Sequence, residues 1–483
     1  MSERPPGYHP RFMTGIQGTT AGATTGAPRF STLIALAWPM IVARLSQAVI
    51  GFCDALRSAP LGEAPLAAVT AGALDVMLVV ILPMGTVFII QSFAAQLRGG
   101  GRAVEARRYA NYGLLISAAA GALGLAAIPW VDATLSLFDY TPEVRTAMGE
   151  YLRIRLWSVA AIVGVDALGN WYGGLGNTRV SLLAGLLGMA SNVVLNYALI
   201  LPRFGLPGYG IAGAAWASVL ASWIAFAVVW ALYMRGIGHG LPKGGGRFRA
   251  DEFRRVLRFG VPSGFNWFLE FAAFALFVNG VVPVLGTHVV AAFNVVIYVN
   301  MVSFMPAFGA ASAGAILVGE AIGAKRFEHV NPSVRLTLVS NAVWMSTIGL
   351  VYLAFGKQIF GLFAPPGSET SALLDTGALL LTLSAIWQVF DAGALTFSEA
   401  LRASGDTRWP MLARLGLAWG VFIPGAYLAI HHLGGGPSML VACMTAYIGL
   451  LAVLLFFRFR SGRWASIRLV KEASVGPEVA PFA

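Results

Sequence analysis

Five carboxylates stand well inside long apolar stretches of this 483-residue chain: Asp54, Asp75, Asp166, Glu270 and Asp391. A charge in hydrocarbon is expensive, so an acid in such a place must take a proton, a metal ion or a fixed cationic partner. Taking up and releasing that partner can drive a cycle of movement. Glu270 follows the run Gly-Phe-Asn-Trp-Phe-Leu and Asp391 follows Ile-Trp-Gln-Val-Phe, so both have apolar and aromatic neighbours. Two such carboxylates, if they meet, can share a proton or hold a sodium ion. Trp387, one helical turn before Asp391, shares its face and could offer a π-surface to a cation. Asp54 closes the first apolar stretch. Arg44, inside that stretch, is a partner for Asp75 or Asp166. Asp375 and Glu399 fall near the ends of stretches, where they reach water, and so does Glu320.

Other chemistries find no support. The six histidines have no metal-ligand spacing inside a stretch, and there is no Gly-x-x-x-x-Gly-Lys-Ser/Thr loop to bind ATP. Cys53 and Cys443 both sit in apolar sequence and read as small buried hydrophobes, not as a disulfide framework. An enzyme is not expected, nor a cofactor beyond a coupling ion.

The elements that position these acids follow from composition. Only 11 % of residues are charged while 57 % are hydrophobic, against about 25 % charged in a soluble protein. That excludes a soluble enzyme, a nucleic-acid binder and a disordered chain. A helix needs about 20 mainly apolar residues to cross hydrocarbon. Twelve such stretches run over 31–55, 66–96, 109–131, 150–173, 178–201, 210–234, 256–285, 288–320, 335–361, 373–400, 408–430 and 438–458. They are far too long for barrel strands. The expectation is an all-α polytopic membrane protein.

Placing the N-terminus inside puts 25 of the 33 Lys and Arg on the inner side and 6 on the outer, with Arg44 and Arg414 inside stretches. Both termini are therefore expected in the cytoplasm. The net charge of +11 is a topology signal that implies contact with anionic lipid headgroups, not with nucleic acid.

The chain also repeats itself. Pro39 and Pro262 are 223 apart; Leu61-Gly62 and Leu285-Gly286, Ala67-Ala68 and Ala291-Ala292, and Gln96…Gly99…Arg102 and Glu320…Gly323…Arg326 are each 224 apart. Gly176-Asn177-Thr178-Arg179 returns as Gly405-Asp406-Thr407-Arg408 at 229. Six spans per copy make a parallel repeat, one of the transporter architectures. The expected organisation is a cytoplasmic tail over 1–30, a first lobe over 31–235, a linker over 236–254, a second lobe over 255–460 and a cytoplasmic tail over 461–483. The two pseudo-symmetric six-helix lobes would enclose a central cavity able to open to alternate sides.

Trp38-Pro39, Gly51-Phe52-Cys53-Asp54, Leu61-Gly62…Ala67-Ala68, Gly173–Arg179, Asn192-Val193-Val194-Leu195-Asn196 and the run 205–215 (Gly-Leu-Pro-Gly-Tyr-Gly-Ile-Ala-Gly-Ala-Ala), with their second-half copies, occur in an order and spacing that resembles the multidrug and toxic compound extrusion (MATE) family. The resemblance covers about residues 31–460, within a larger group that includes lipid-oligosaccharide flippases. It implies a bacterial inner-membrane antiporter, functional as a monomer, in which inward Na⁺ or H⁺ drives export of small organic, cationic compounds. The NorM-type branch places its cation site on a Glu in span seven and an Asp in span ten, matched here by Glu270 and Asp391, which would be the Na⁺ ligands of a sodium-coupled protein. Asp54 matches the family's span-one acid, which forms a second site with span-five polar residues, here Asn192 and Asn196. Asn170 is expected in the same polar network. The DinF-type branch has Asp where this chain has Asn196; that departure weakens a proton site based only in the first lobe and favours the NorM-type reading, with ions held by Glu270 and Asp391. The alternative is a flippase of a lipid-linked oligosaccharide, whose anionic pyrophosphate calls for cavity arginines.

Overall fold

The structure is a computed structural model that describes residues 28–202, 207–241, 247–363 and 370–471. Most of the N-terminal tail, the middle of the linker, the end of the C-terminal tail and Gly205-Leu206 of the sixth-span motif lie outside the described residues. Fifteen helices are described: α1 Phe30–Ser58, α2 Glu63–Gly99, α3 Ala106–Ala127, α4 Val131–Leu135, α5 Pro142–Arg155, α6 Val159–Gly174, α7 Arg179–Leu199, α8 Gly210–Arg235, α9 Ala250–Leu276, α10 Thr287–Gly323, α11 Val330–Gly361, α12 Thr370–Ser404, α13 Arg408–Arg414, α14 Ile423–His431 and α15 Pro437–Arg460. Eleven helical runs are long and apolar enough to cross a membrane. The remaining stretch, at 150–173, is helical too, but a 3₁₀ turn at Leu156–Ser158 divides it into α5 and α6. A π-helical turn, Leu415–Phe422, joins α13 to α14 in a single span.

The duplication is written in the backbone. Helices α2 and α10 are each 37 residues long and each starts after a glycine with strongly positive φ, Gly62 at 108° and Gly286 at 100°. Each contains a proline, Pro83 and Pro306. Each is followed by a left-handed residue, Gly101 and Lys325, and then by a 3₁₀ turn, Ala103–Glu105 and Phe327–His329. Two unrelated six-helix sequences would not repeat so many turn choices in register.

The halves meet through the ends of the helices that carry the basic residues, here called the basic face. There α2 and α10 cross with no room for side chains: a Cβ on Gly99 would overlap the carbonyl of Glu320, and one on Gly323 the carbonyl of Gln96. Close backbone approach at small residues is how helices associate without a hydrophobic drive between them. Farther in, Gly85 of α2 lies against Gly264 of α9, and Gly309 of α10 against Ile41 of α1. Polar bonds cross the same face. Arg402 of α12 donates to the Phe88 carbonyl, to Ser92 Oγ (both 3.1 Å) and to Gln91 Oε1 (2.8 Å) of α2. Gln91 exchanges bonds with Ser312, and Gln96 donates to the Ala403 carbonyl at 2.8 Å. All of these contacts use the basic half of each helix, so the structure is closed on that face.

Two sequence expectations fail here for one reason. Glu320 and Glu399 were expected in water; both are buried, Glu320 paired with Arg98 and Glu399 with Arg402. Closure of the two halves covers the helix ends that a single half would leave wet. Asp375 is exposed and pairs with Lys357 at 3.1 Å, in line with its expected position.

Candidate functional site

Helix α7 carries Asn192 and Asn196 on one face, four residues apart. Gly185, two turns earlier, brings α7 against Ala43 of α1: a Cβ there would sit 3.0 Å from the Ala43 Cα. That approach aims both amides at Asp54. Asn192 Nδ2 donates to Asp54 Oδ1 at 3.0 Å and Asn196 Nδ2 to the same oxygen at 2.5 Å. Ser218 Oγ, from α8, donates to Asp54 Oδ2 at 3.0 Å, and Asn196 Nδ2 also reaches Asn192 Oδ1 at 3.0 Å. Asp54, Asn192, Asn196 and Ser218 are all buried.

Charge bookkeeping singles this cluster out. The other buried acids each have an arginine: Glu252 with Arg108, Glu320 with Arg98, Glu399 with Arg402 and Asp406 with Arg458. Asp54 has none among the described residues; its three donors are neutral. The cluster also contains an orphan. Asn196 Oδ1 is buried without a hydrogen-bond partner among the described residues. Buried acceptors without partners are rare, and each needs an explanation. A proton on Asp54, or a small hard cation beside it, would supply one.

Among the described residues, every buried acid of the second half has an arginine. Phe277, 223 residues after Asp54, occupies the matching place after α9 and packs on Phe422 with ring centroids 4.8 Å apart.

Glu270 and Asp391 have different surroundings. Glu270 is about half exposed and forms an ion pair with Arg414, whose side chain is buried. Asp391 is half-buried on α12 and has neither a hydrogen bond nor an ion pair among the described residues. Trp387 is buried in the second-half core with Leu381, Phe422 and Met444, so its faces pack on side chains. Asn170 is buried on α6 and shares no hydrogen bond with the Asp54 cluster. Arg44 selects Asp166, at 3.9 Å. Asp75 is half-buried and unpaired among the described residues. No group of three or more His, Cys, Asp or Glu able to hold a metal occurs among the described residues.

Between the halves, above the closed face, aromatic rings gather: Phe88 of α2 lies 4.9 Å from Trp267 of α9 and 5.8 Å from Phe308 of α10, which stacks near Phe304. Arg44 reaches over Phe308 at 5.6 Å. Apart from Phe88 these rings are partly exposed. Ser218 and this aromatic group were not singled out in the sequence, where nothing distinguishes them from other serines and rings of the spans.

The MatE family model matches the chain twice, over residues 39–198 and 262–428, so the repeat is seen by that comparison too. Multidrug resistance protein NorM of Burkholderia vietnamiensis is 28 % identical over 427 residues, 88 % of this chain and 92 % of that protein. A probable multidrug resistance protein NorM of Xanthomonas axonopodis pv. citri is 28 % identical over 474 residues, 95 % and 97 % of the two chains. Among solved structures, a MOP superfamily transporter from Pyrococcus furiosus superposes with a TM-score of 0.84 at 20 % identity, over 93 % of this chain and 100 % of that one. An outward-facing multidrug resistance MATE family transporter also superposes with a TM-score of 0.84, at 21 % identity, over 94 % and 100 %. At these identities the likeness to solved structures shows the fold.

Proposed function

The chain belongs to the MatE family of membrane transporters, and from that premise we propose that it is a multidrug antiporter that couples inward movement of H⁺ or Na⁺ to export of organic cations, with Asp54 as the coupling carboxylate. The observation that carries this reading is the buried Asp54, held by three neutral donors and by no arginine. Three donors stabilise the charged carboxylate, and no fixed cation among the described residues competes with an ion that comes and goes. A proton on Asp54 would turn one acceptor oxygen into a donor, and Asn196 Oδ1 is the unpartnered acceptor beside it. A sodium ion would find the Asp54 carboxylate, Asn196 Oδ1 and Ser218 Oγ as hard oxygen ligands.

Neutralisation at Asp54 alters how α1 sits on α7 and α8. Helix α1 also packs on the second half where Ile41 meets Gly309, so a shift of α1 reaches the contact that closes the basic face. We place that face in the cytoplasm, because it collects most of the basic residues. Flat aromatic compounds would stack on Trp267, Phe304 and Phe308, and Asp391, without a hydrogen bond or ion pair among the described residues, is the acid we assign to attracting positive charge. Glu270, matched by Arg414, is assigned to holding α9 against α13. Arg44 and Arg414, the two arginines inside the apolar stretches read from the sequence, are each paired with an acid, which supports drug export over binding of an anionic lipid pyrophosphate.

Everted membrane vesicles containing the protein test the reading directly. Ethidium uptake into the vesicles should follow an imposed pH or sodium gradient and stop when that gradient is collapsed. Uptake that ignores both gradients would overturn the proposal.

A further inference from the structure

A cavity of about 450 Å³ opens on the basic face, away from the Asp54 cluster and the aromatic group. Arg255 and Arg258 of α9, Arg408 at the start of α13 and Arg468 of the segment after α15 line it, together with Asp406. Four arginines thus line one cavity, with Arg258 and Arg408 exposed, and the like charges make the opening attractive to an anion. The one carboxylate of the lining does not supply it, because Asp406 is buried and already bound by Arg458 at 2.6 Å. Arg255 donates to the Arg468 carbonyl at 2.8 Å. Arg258 lies beside the Phe259 ring, and neither it nor Arg408 has a hydrogen bond or ion pair among the described residues.

The frame around these charges is fixed. The segment after α15 straps the two halves together: Trp464 is buried in the second-half core, while Leu469 is buried in the first-half core. Its Lys471 pairs with Asp251 at 2.7 Å, and the Lys471 carbonyl accepts from Arg102 at 2.7 Å. Gly405, at φ +93°, lets the α12–α13 turn lie against Ile467 and Leu469 of the strap. Three separate elements thus hold their arginines around one volume.

We propose that this cavity binds a phosphate group, supplied by the headgroup of an anionic phospholipid or by a free phosphate compound. Guanidinium forks match phosphate oxygens in pairs, and a bound phosphate would satisfy Arg258 and Arg408 at once. Because α9, the α12–α13 turn and the strap all touch it, occupancy favours the arrangement closed on the basic face.

The test uses the full chain in nanodiscs of phosphatidylcholine with and without phosphatidylglycerol, and in detergent with and without millimolar pyrophosphate. Melting temperature and native mass spectrometry are the readouts. The wild type is compared with Arg258→Gln/Arg408→Gln and with Arg460→Gln/Arg463→Gln, a control on the same face outside the cavity. If a headgroup is the source, one phosphatidylglycerol stays bound per protein, and the cavity variant loses it at least tenfold more readily than the control. If a free phosphate compound is the source, pyrophosphate raises the melting temperature of the wild type and control but not of the cavity variant. Arg258→Lys/Arg408→Lys keeps the charge without the fork and should show an intermediate loss. Equal retention of phosphatidylglycerol by all variants, with no pyrophosphate shift in the wild type, overturns the proposal.

Discussion

Removing the Arg402 latch should open the basic face. Arg402 donates three hydrogen bonds from α12 to α2 and stacks over the Phe88 ring at 3.9 Å. Replacing it alone would strand Glu399, buried on the same helix, and breaking a buried pair costs about 3–5 kcal/mol of stability. The informative variant is therefore Glu399→Gln/Arg402→Met, which removes both charges together. The Glu399 pair lies within α12 and does not bear on closure; the three bonds to α2 do. At about 1 kcal/mol net for each bond, closure weakens by about 3 kcal/mol, a shift of about a hundredfold between closed and open populations. Spin labels at Val104 and Ser461, exposed on the two halves, report the separation in a background with Cys53 and Cys443 replaced by Ser. The double variant should populate a longer inter-label distance that the wild type lacks. An unchanged distance distribution, in protein that still binds substrate, would refute the idea that these bonds hold the face shut.

Other perturbations have equally definite outcomes. Glu270→Gln leaves the buried Arg414 without its partner and should lower the melting temperature, with Glu270→Gln/Arg414→Met recovering part of the loss. A Glu270→Gln protein that melts as the wild type does would show the pair to be structurally idle. Gly323→Ala forces a methyl into the Gln96 carbonyl, and overpacking of this kind costs about 1–3 kcal/mol; the melting temperature should fall and the basic face should open, whereas an unshifted melt and distance distribution would contradict the tight crossing. His239 lies between α8 and α9, packed on Trp171 at 5.2 Å, and burial holds its imidazole below the usual histidine value. The folded state therefore favours neutral His239, so stability is full above about pH 6.5 and declines as pH falls through that value and below. His239→Gln should flatten this part of the stability profile between pH 8 and 5; an unaltered slope would assign the decline elsewhere.

The spans were legible because hydrocarbon demands about 20 apolar residues in a row, and that demand is local. The one span that the structure divides, α5 and α6, has Arg153 and Arg155 just before its 3₁₀ turn, which marks where an apolar run is weakest. The repeat was legible because turn residues such as Gly62 and Gly286 are chosen by backbone conformation. Partners were not legible. Glu320 finds Arg98, 222 residues away, and Glu270 finds Arg414, 144 residues away. No periodicity encodes which arginine a tertiary contact delivers. Trp387 shows a related limit: spacing places it on a face with Asp391, but only packing decides that its side chain enters the core. Asp54, Asn192 and Asn196 were grouped by the resemblance to the family, whose span-one acid meets span-five polar residues; nothing in the residues alone linked the two spans, and Ser218 was invisible beside them.

The coupling role proposed for Asp54 is open to a direct measurement. Reconstituted wild-type protein and Asp54→Asn should be compared in two assays: gradient-driven uptake of ethidium, and counterflow of ethidium with no gradient. Asn is nearly isosteric but cannot gain or lose the charge, so Asp54→Asn should lose gradient-driven uptake while keeping counterflow. Undiminished gradient-driven uptake by Asp54→Asn would contradict the claim outright.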